Sequence, residues 1–168
     1  MPYRLPVAVI DTTLLSRLVD TGLADRLPLA FSKIHIPSDV AAEIGRRPGK
    51  ARRKLRNLFK TEKGFYIDCL TEDPLVREML NVDLDPGEAS VIAQADQLKA
   101  VAIIDERKGF ERAKLMAVEV QRTGFILCRL KEAGAIENVG EYLMRLMALG
   151  FTLTQAAHRE ILQKADEV

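Results

Sequence analysis

The sequence predicts an α/β fold: a mostly parallel central sheet flanked by helices, with a helical C-terminal extension. Three observations lead there. Runs such as Val7-Ala8-Val9-Ile10 and Ala100-Val101-Ala102-Ile103-Ile104 are apolar at every position, as strands buried on both faces are. Between such runs the apolar residues recur at helical spacing. Two of the runs end directly in aspartate, Asp11 and Asp105, at the strand ends where open parallel sheets collect ligands.

Taken in order, the first strand is expected over 7–10. Leu14, Leu15, Leu18 and Val19 mark the buried face of the following helix, and Gly22 closes it. A second strand over 33–36 is stopped by Pro37, and Ser38 is placed to cap a helix carrying Val40, Ala41, Glu43 and Ile44. A break over 45–49 contains Pro48. Beyond it, Ala51, Leu55, Leu58 and Phe59 form one helical stripe. A strand over 65–67 and a helix over 74–80 follow. Asp85-Pro86-Gly87-Glu88 has the form of a helix start, with Asp at the cap, Pro next and Glu at the third helical position. After the strand at 100–104 come a helix over 109–115, an edge strand over 118–120, and helices near 125–132, 139–149 and from 154. Residues 1–150 are expected to form the domain and 151–168 the extension, which lacks strands and is short for its own core.

Composition narrows the function classes. A hydrophobic content of 48% in 168 residues excludes a disordered chain. Cys69 and Cys128 form no CxxC pair and no Cys/His cluster, against a zinc or redox site and in favour of free thiols. With no membrane-length apolar run and no signal-peptide pattern, a soluble cytoplasmic protein without membrane contact is expected. The formal net charge is only +1. Its distribution is uneven. Residues 45–67 hold nine basic side chains (Arg46, Arg47, Lys50, Arg52, Arg53, Lys54, Arg56, Lys60 and Lys63) against one acid, Glu62, so the segment carries +8. The remainder, with sixteen basic residues and twenty-three acids, carries −7. Such an arm suits an RNA phosphate backbone or an acidic partner, although many charge runs are only the solvated face of a helix. Phe65 and Tyr66 are the nearby candidates for base stacking, while Phe59 reads as core.

The acids supply the chemistry. Asp11 and Asp105 point to one end of the sheet, and Glu43 and Glu88 lie on helices able to face it, each among apolar neighbours where an unpaired charge is costly. Four converging carboxylates repel one another and call for a divalent cation. Oxygen ligands suit Mg²⁺ or Mn²⁺, and such ions activate water against a phosphodiester. Each acid also has a simpler role: Asp11 and Asp105 as helix caps, Glu88 as a favourable charge in a first helical turn, Glu43 as a half-exposed helix residue. Other acid-based or nucleotide-binding α/β sites lack their marks here, because Asp11-Thr12-Thr13 has no second aspartate and neither GxGxxG nor a P-loop is present. His35 falls in a strand and His158 near the C-terminus, which disfavours a Ser-His-Asp triad.

Four segments in order, Val9-Ile10-Asp11-Thr12-Thr13, Ile36-Pro37 with Val40-Ala41-Ala42-Glu43-Ile44, Asp85-Pro86-Gly87-Glu88-Ala89-Ser90, and Ile103-Ile104-Asp105-Glu106-Arg107-Lys108-Gly109, resemble a PIN domain. The similarity is greatest to its VapC-like prokaryotic branch of toxin-type ribonucleases, and extends to about residue 150. The resemblance implies a PIN-like three-layer fold and a metal-dependent endoribonuclease using Mg²⁺ or Mn²⁺, in a family where many members are toxins held inactive by an antitoxin and others are housekeeping or orphan nucleases. It implies that Asp11, Glu43, Glu88 and Asp105 are the catalytic and metal-binding acids, with Thr13 supporting the first. Glu88 stands where aspartate is commoner, and Thr13-Leu14 departs from the usual Ser-Pro-Leu. On this reading Arg46, Arg47, Lys50, Arg52, Arg53, Arg56, Arg107 and Lys108 bind RNA. The partners are an RNA substrate, an antitoxin and a second copy, with Leu143, Leu146, Met147, Leu149 and Phe151 either forming a homodimer interface or covering the sheet within one chain. The alternative is a non-catalytic PIN-like scaffold that holds RNA or protein through residues 46–63.

Overall fold

The computed structural model describes residues 4–37, 46–68 and 73–168. The helix expected after Ser38, with Glu43 on it, and Cys69 lie outside the described residues. Five strands form one sheet: β1 (Val7–Val9), β2 (Lys33–Ile36), β3 (Tyr66–Asp68), β4 (Val101–Ile103) and β5 (Val120–Gln121). Their order is β3-β2-β1-β4-β5, and every pairing is parallel, with Val9 opposite His35 on one side and Ala102 on the other. The helices are α1 (Thr12–Asp20), α2 (Gly49–Thr61), α3 (Pro74–Asn81), α4 (Pro86–Leu98), α5 (Arg107–Leu115), α6 (Thr123–Glu132), α7 (Val139–Ala148) and α8 (Gln155–Lys164), with a 3-10 segment over Ala24–Leu29.

Strand alternation divides the core in two, because successive side chains point to opposite faces. Ala8, Ile10, Ile34, Ile36, Val101 and Ile103 join α1, α2, α6 and α7 on one face. Val9, Ala102 and Ile104 join α4 and α5 on the other. Ala89, Ala93 and Ala95 on α4 are small enough to bring that helix close to the sheet. The result is three layers, helices on both faces of a parallel sheet.

Three expectations change in detail. The edge strand starts two residues later than 118, because α5 ends in a Schellman turn. Ala117 takes φ 57°, and the Val118 and Ala117 amides bond back to the Ala113 and Lys114 carbonyls. Val118 therefore still completes the helix, and pairing begins when Ala102 donates to the Glu119 carbonyl. The stacking candidates Phe65 and Tyr66 are unavailable: both are buried, and the Tyr66 hydroxyl donates to the Ala24 carbonyl at 2.6 Å. Finally, Leu143, Leu146 and Phe151 are buried in the core, while Met147 and Leu149 are exposed, so the first three cover the sheet within one chain.

The last segment is fastened to the rest. Gly124 on α6 lets α8 approach so closely that a Cβ there would lie 2.7 Å from Ile161. The Glu167 carboxylate accepts from the Val139 and Gly140 amides at 2.6 and 2.8 Å, at the start of α7, and from Lys131 at 2.9 Å. No helix among the described residues is long and apolar enough to cross a membrane.

Candidate active site

β1 has β2 on one side and β4 on the other, so strands are added outward in one direction from β1 to β3 and in the opposite direction from β4 to β5. This is the topological switch point, and the crevice beyond the carboxyl ends of these two strands is where such folds bind ligands. Asp11 follows β1 and Asp105 follows β4. Both line a cleft of about 380 Å³, together with Thr13, Arg17, Glu88 and Glu106.

Each acid is held differently. Asp11 caps α1, its Oδ1 accepting from the Leu14 amide at 2.7 Å, so the simpler role assigned to it is real and also fixes its direction. Asp105 is no helix cap for α5, which starts after Glu106. Its two oxygens instead accept from Thr123, Oδ1 from the backbone N–H at 2.9 Å and Oδ2 from the hydroxyl at 2.6 Å. A carboxylate oxygen carries two lone pairs, so one on each remains for a ligand.

Glu88 lies half-buried on the first turn of α4 and accepts from the Asp85 amide. Asp85 occupies the cap position, but its side chain makes no capping bond; only the glutamate half of the expected capping box forms. Burial raises the Glu88 carboxyl above the ordinary range, and Asp85, Glu106 and Asp11 raise it further. The carboxylate also rests on α5. A Cβ on Gly109 would come within 3.2 Å of Glu88 Cδ and 3.0 Å of Ile104 Cγ2, so glycine is what allows α5 to pack there.

Among the described residues no three His, Cys, Asp or Glu side chains come close enough to cage a metal ion. Asp11, Glu88 and Asp105 nonetheless share one cleft, and Asp11 is among the charges that raise Glu88. An all-oxygen donor set of net negative charge fits a hard divalent cation.

The basic residues sort by position. Thr13 and Arg46, Lys50, Arg53, Arg56, Arg107 and Lys108 are exposed, while Arg47 and Arg52 are half-buried. Arg52 donates to the Arg47 carbonyl at 3.2 Å. On α2, Leu55 and Leu58 face the core and Lys54 pairs with Asp20 at 3.4 Å. The end of α2 feeds β3 and, through Asn57 and Thr61, faces Gly22 and Asp25. Its basic first turn is thereby directed toward the edge that carries Asp11. Lys108 lines a neighbouring depression with Asp83, Asp85 and Glu88 rather than the main cleft.

Sequence reasoning missed two residues. Thr123 is fully buried and holds Asp105; the only local sign was a Thr-Gly pair opening a helix. Arg17 stands one turn past Thr13 on the cleft wall, a spacing that shares a helix face. The family profile described as a PIN domain matches residues 7–167. No curated protein matches the chain at a significant level.

Proposed function

The chain belongs to the PIN-domain family, whose members are generally nucleases that use divalent cations, and from that premise we propose that it is a metal-dependent endoribonuclease. The observation that carries the proposal is the gathering of Asp11, Glu88 and Asp105 on one cleft at the switch point, with the Glu88 carboxyl raised by burial and then by Asp85, Glu106 and Asp11. Asp11, Glu88 and Asp105 would hold Mg²⁺ or Mn²⁺, with Glu43 as the fourth ligand that the family pattern implies. When bound, such a cation supplies an activated water and offsets the charge that develops on the phosphoryl oxygens.

The chain's own groups do the rest. The Leu14 amide and Thr123 fix the direction of Asp11 and Asp105, so little reorganisation is needed when a cation arrives. Arg17 lines the cleft and would meet a phosphate held there. Arg46, Arg47, Lys50, Arg52, Arg53 and Arg56 guide the strand, with Arg107 and Lys108 beside the cleft. Contacts of that kind position a backbone without reading its sequence.

The test offers single-stranded and structured RNA, and DNA of the same sequence, with Mn²⁺ or EDTA, to wild type and Asp11→Asn. Cleavage of RNA by the wild type with Mn²⁺, and none by the variant, is expected. Equal cleavage by both proteins removes Asp11 from the mechanism. The alternative is a scaffold whose acids no longer bind metal, and absence of Mn²⁺ binding in calorimetry would select it. The toxin role and an antitoxin partner rest on the resemblance to the VapC-like branch. Growth arrest on expression, relieved by the product of an adjacent small reading frame, is the expected result. A homodimer is proposed on the same ground and is read by sedimentation.

A further inference from the structure

Beside the acid-lined cleft is a second cavity of about 540 Å³, bounded by α5, β5, α6 and α8. It shares Asp105 and Phe151 with the first cavity, so the two meet at the carboxylate that Thr123 holds. Phe110, Phe125 and Phe151 contribute its apolar wall. The Arg122 guanidinium lies over the Phe110 ring, 4.0 Å from the centroid. Arg122 is exposed, and its charge acts on Glu160 across the cavity wall.

We infer that this cavity is a nucleobase subsite, taking the base of a nucleotide next to the scissile phosphate; the inference rests on the nuclease reading above. Bases stack on aromatic rings and on guanidinium planes. Arg122 is already held over Phe110, so a guanidinium, itself a planar stacking partner for a base, stands at the cavity with part of its side-chain freedom already spent. The wall is mixed in charge, with Glu132 and the ion-paired Glu160 and Lys164 opposite Arg122. A base is uncharged, and its edge donors find Glu132 and Gln121. Phe65 and Tyr66 beside the basic arm are buried, whereas Phe110 lines an open cavity next to Asp105.

The experiment titrates the full chain with each of the four nucleoside 5′-monophosphates in EDTA, followed by NMR, so that neither cation nor cleavage is needed. Saturable binding with a preference among the bases is expected. Arg122→Lys, which keeps the charge and loses the plane, should weaken it about tenfold, as the loss of one stacking contact does. Phe110→Leu should do the same. Absence of saturable binding, equal affinity in Arg122→Lys, or complete displacement by equimolar inorganic phosphate overturns the inference. Mn²⁺-dependent RNA cleavage by a protein that fails this titration leaves the nuclease reading standing alone. Base-selective binding by a protein that cleaves nothing leaves the subsite standing on a scaffold.

Discussion

Replacing Glu88 by glutamine is expected to stabilise the metal-free protein while abolishing hydrolysis. Glutamine keeps the shape and an oxygen to accept from the Asp85 amide. It removes a charge that burial and Asp85, Glu106 and Asp11 all disfavour. It also forfeits the attraction of a negative charge to the start of α4, about 0.3–1 kcal/mol. The raised carboxyl pKa shows that the unfavourable contributions win. Because Glu88 is partly exposed, solvent screening limits the net gain to about 0.5–1 kcal/mol. For a chain of this length that is a rise in Tm of about 1–4 °C. The penalty on wild type exists only while Glu88 is ionised. The advantage of glutamine is therefore full above the raised folded pKa and vanishes as pH falls below the ordinary carboxylate value. Cation binding reverses the order: at about 100 times Kd a ligand adds about 2.7 kcal/mol, or roughly 5–10 °C, to wild type, and less to Glu88→Gln. Thermal scans in EDTA and in Mn²⁺ across pH measure both effects. A lower Tm for the variant in EDTA at neutral pH, or equal stabilisation of both proteins by Mn²⁺, would refute the reasoning.

Other perturbations test other parts of the structure. Gly109→Ala gains about 1 kcal/mol of helix propensity, but its Cβ would stand 3.0 Å from Ile104 and 3.2 Å from the Glu88 carboxyl carbon. Overpacking of about 1–3 kcal/mol should win, so Tm falls slightly while hydrolysis falls severely; unchanged activity would show that Glu88 need not stay where it is. Glu167→Gln removes a charge from the bonds to Val139, Gly140 and Lys131 and should cost about 1–2 kcal/mol, read as a lower denaturation midpoint. Burial alone would raise the Glu167 carboxyl, but the Gly140 and Val139 amides and Lys131 hold it below the ordinary range. Its contribution is thus complete above the ordinary carboxylate value and is lost as pH falls through the lowered folded one. A difference between variant and wild type that persists at the lowest pH would contradict this. Arg53→Gln with Arg56→Gln should leave stability nearly unchanged and reduce the slope of log K against log salt for single-stranded RNA by about 1.4, two lost phosphates at about 0.7 each; an unaltered slope would place the RNA elsewhere.

What was readable in the sequence and what was not divides along the range of the interactions. β1 and β4 were legible because a strand buried on both faces must be apolar throughout, and Asp11 and Asp105 because they interrupt those runs abruptly. The capping role of Asp11 is equally local, a bond across three residues. Local reasoning failed at Asp85, whose sequence has every mark of a capping box. There only the Glu88 half forms, and the same carboxylate also rests against Gly109 of α5. The partner of Asp105 was out of reach for a related reason. Thr123 is eighteen residues away, and the two meet only because β5 pairs beside β4 and delivers the start of α6 to the same edge. A sequence shows which carboxylates an open parallel sheet presents at its edge. It does not show which distant hydroxyl turns them, and that turning decides whether a set of acids can bind a cation. Gly109 follows the same logic: as a residue of α5 it looks like a weak helix position, and Ile104 and the Glu88 carboxyl, 3.0 and 3.2 Å from its absent Cβ, explain why alanine would not serve.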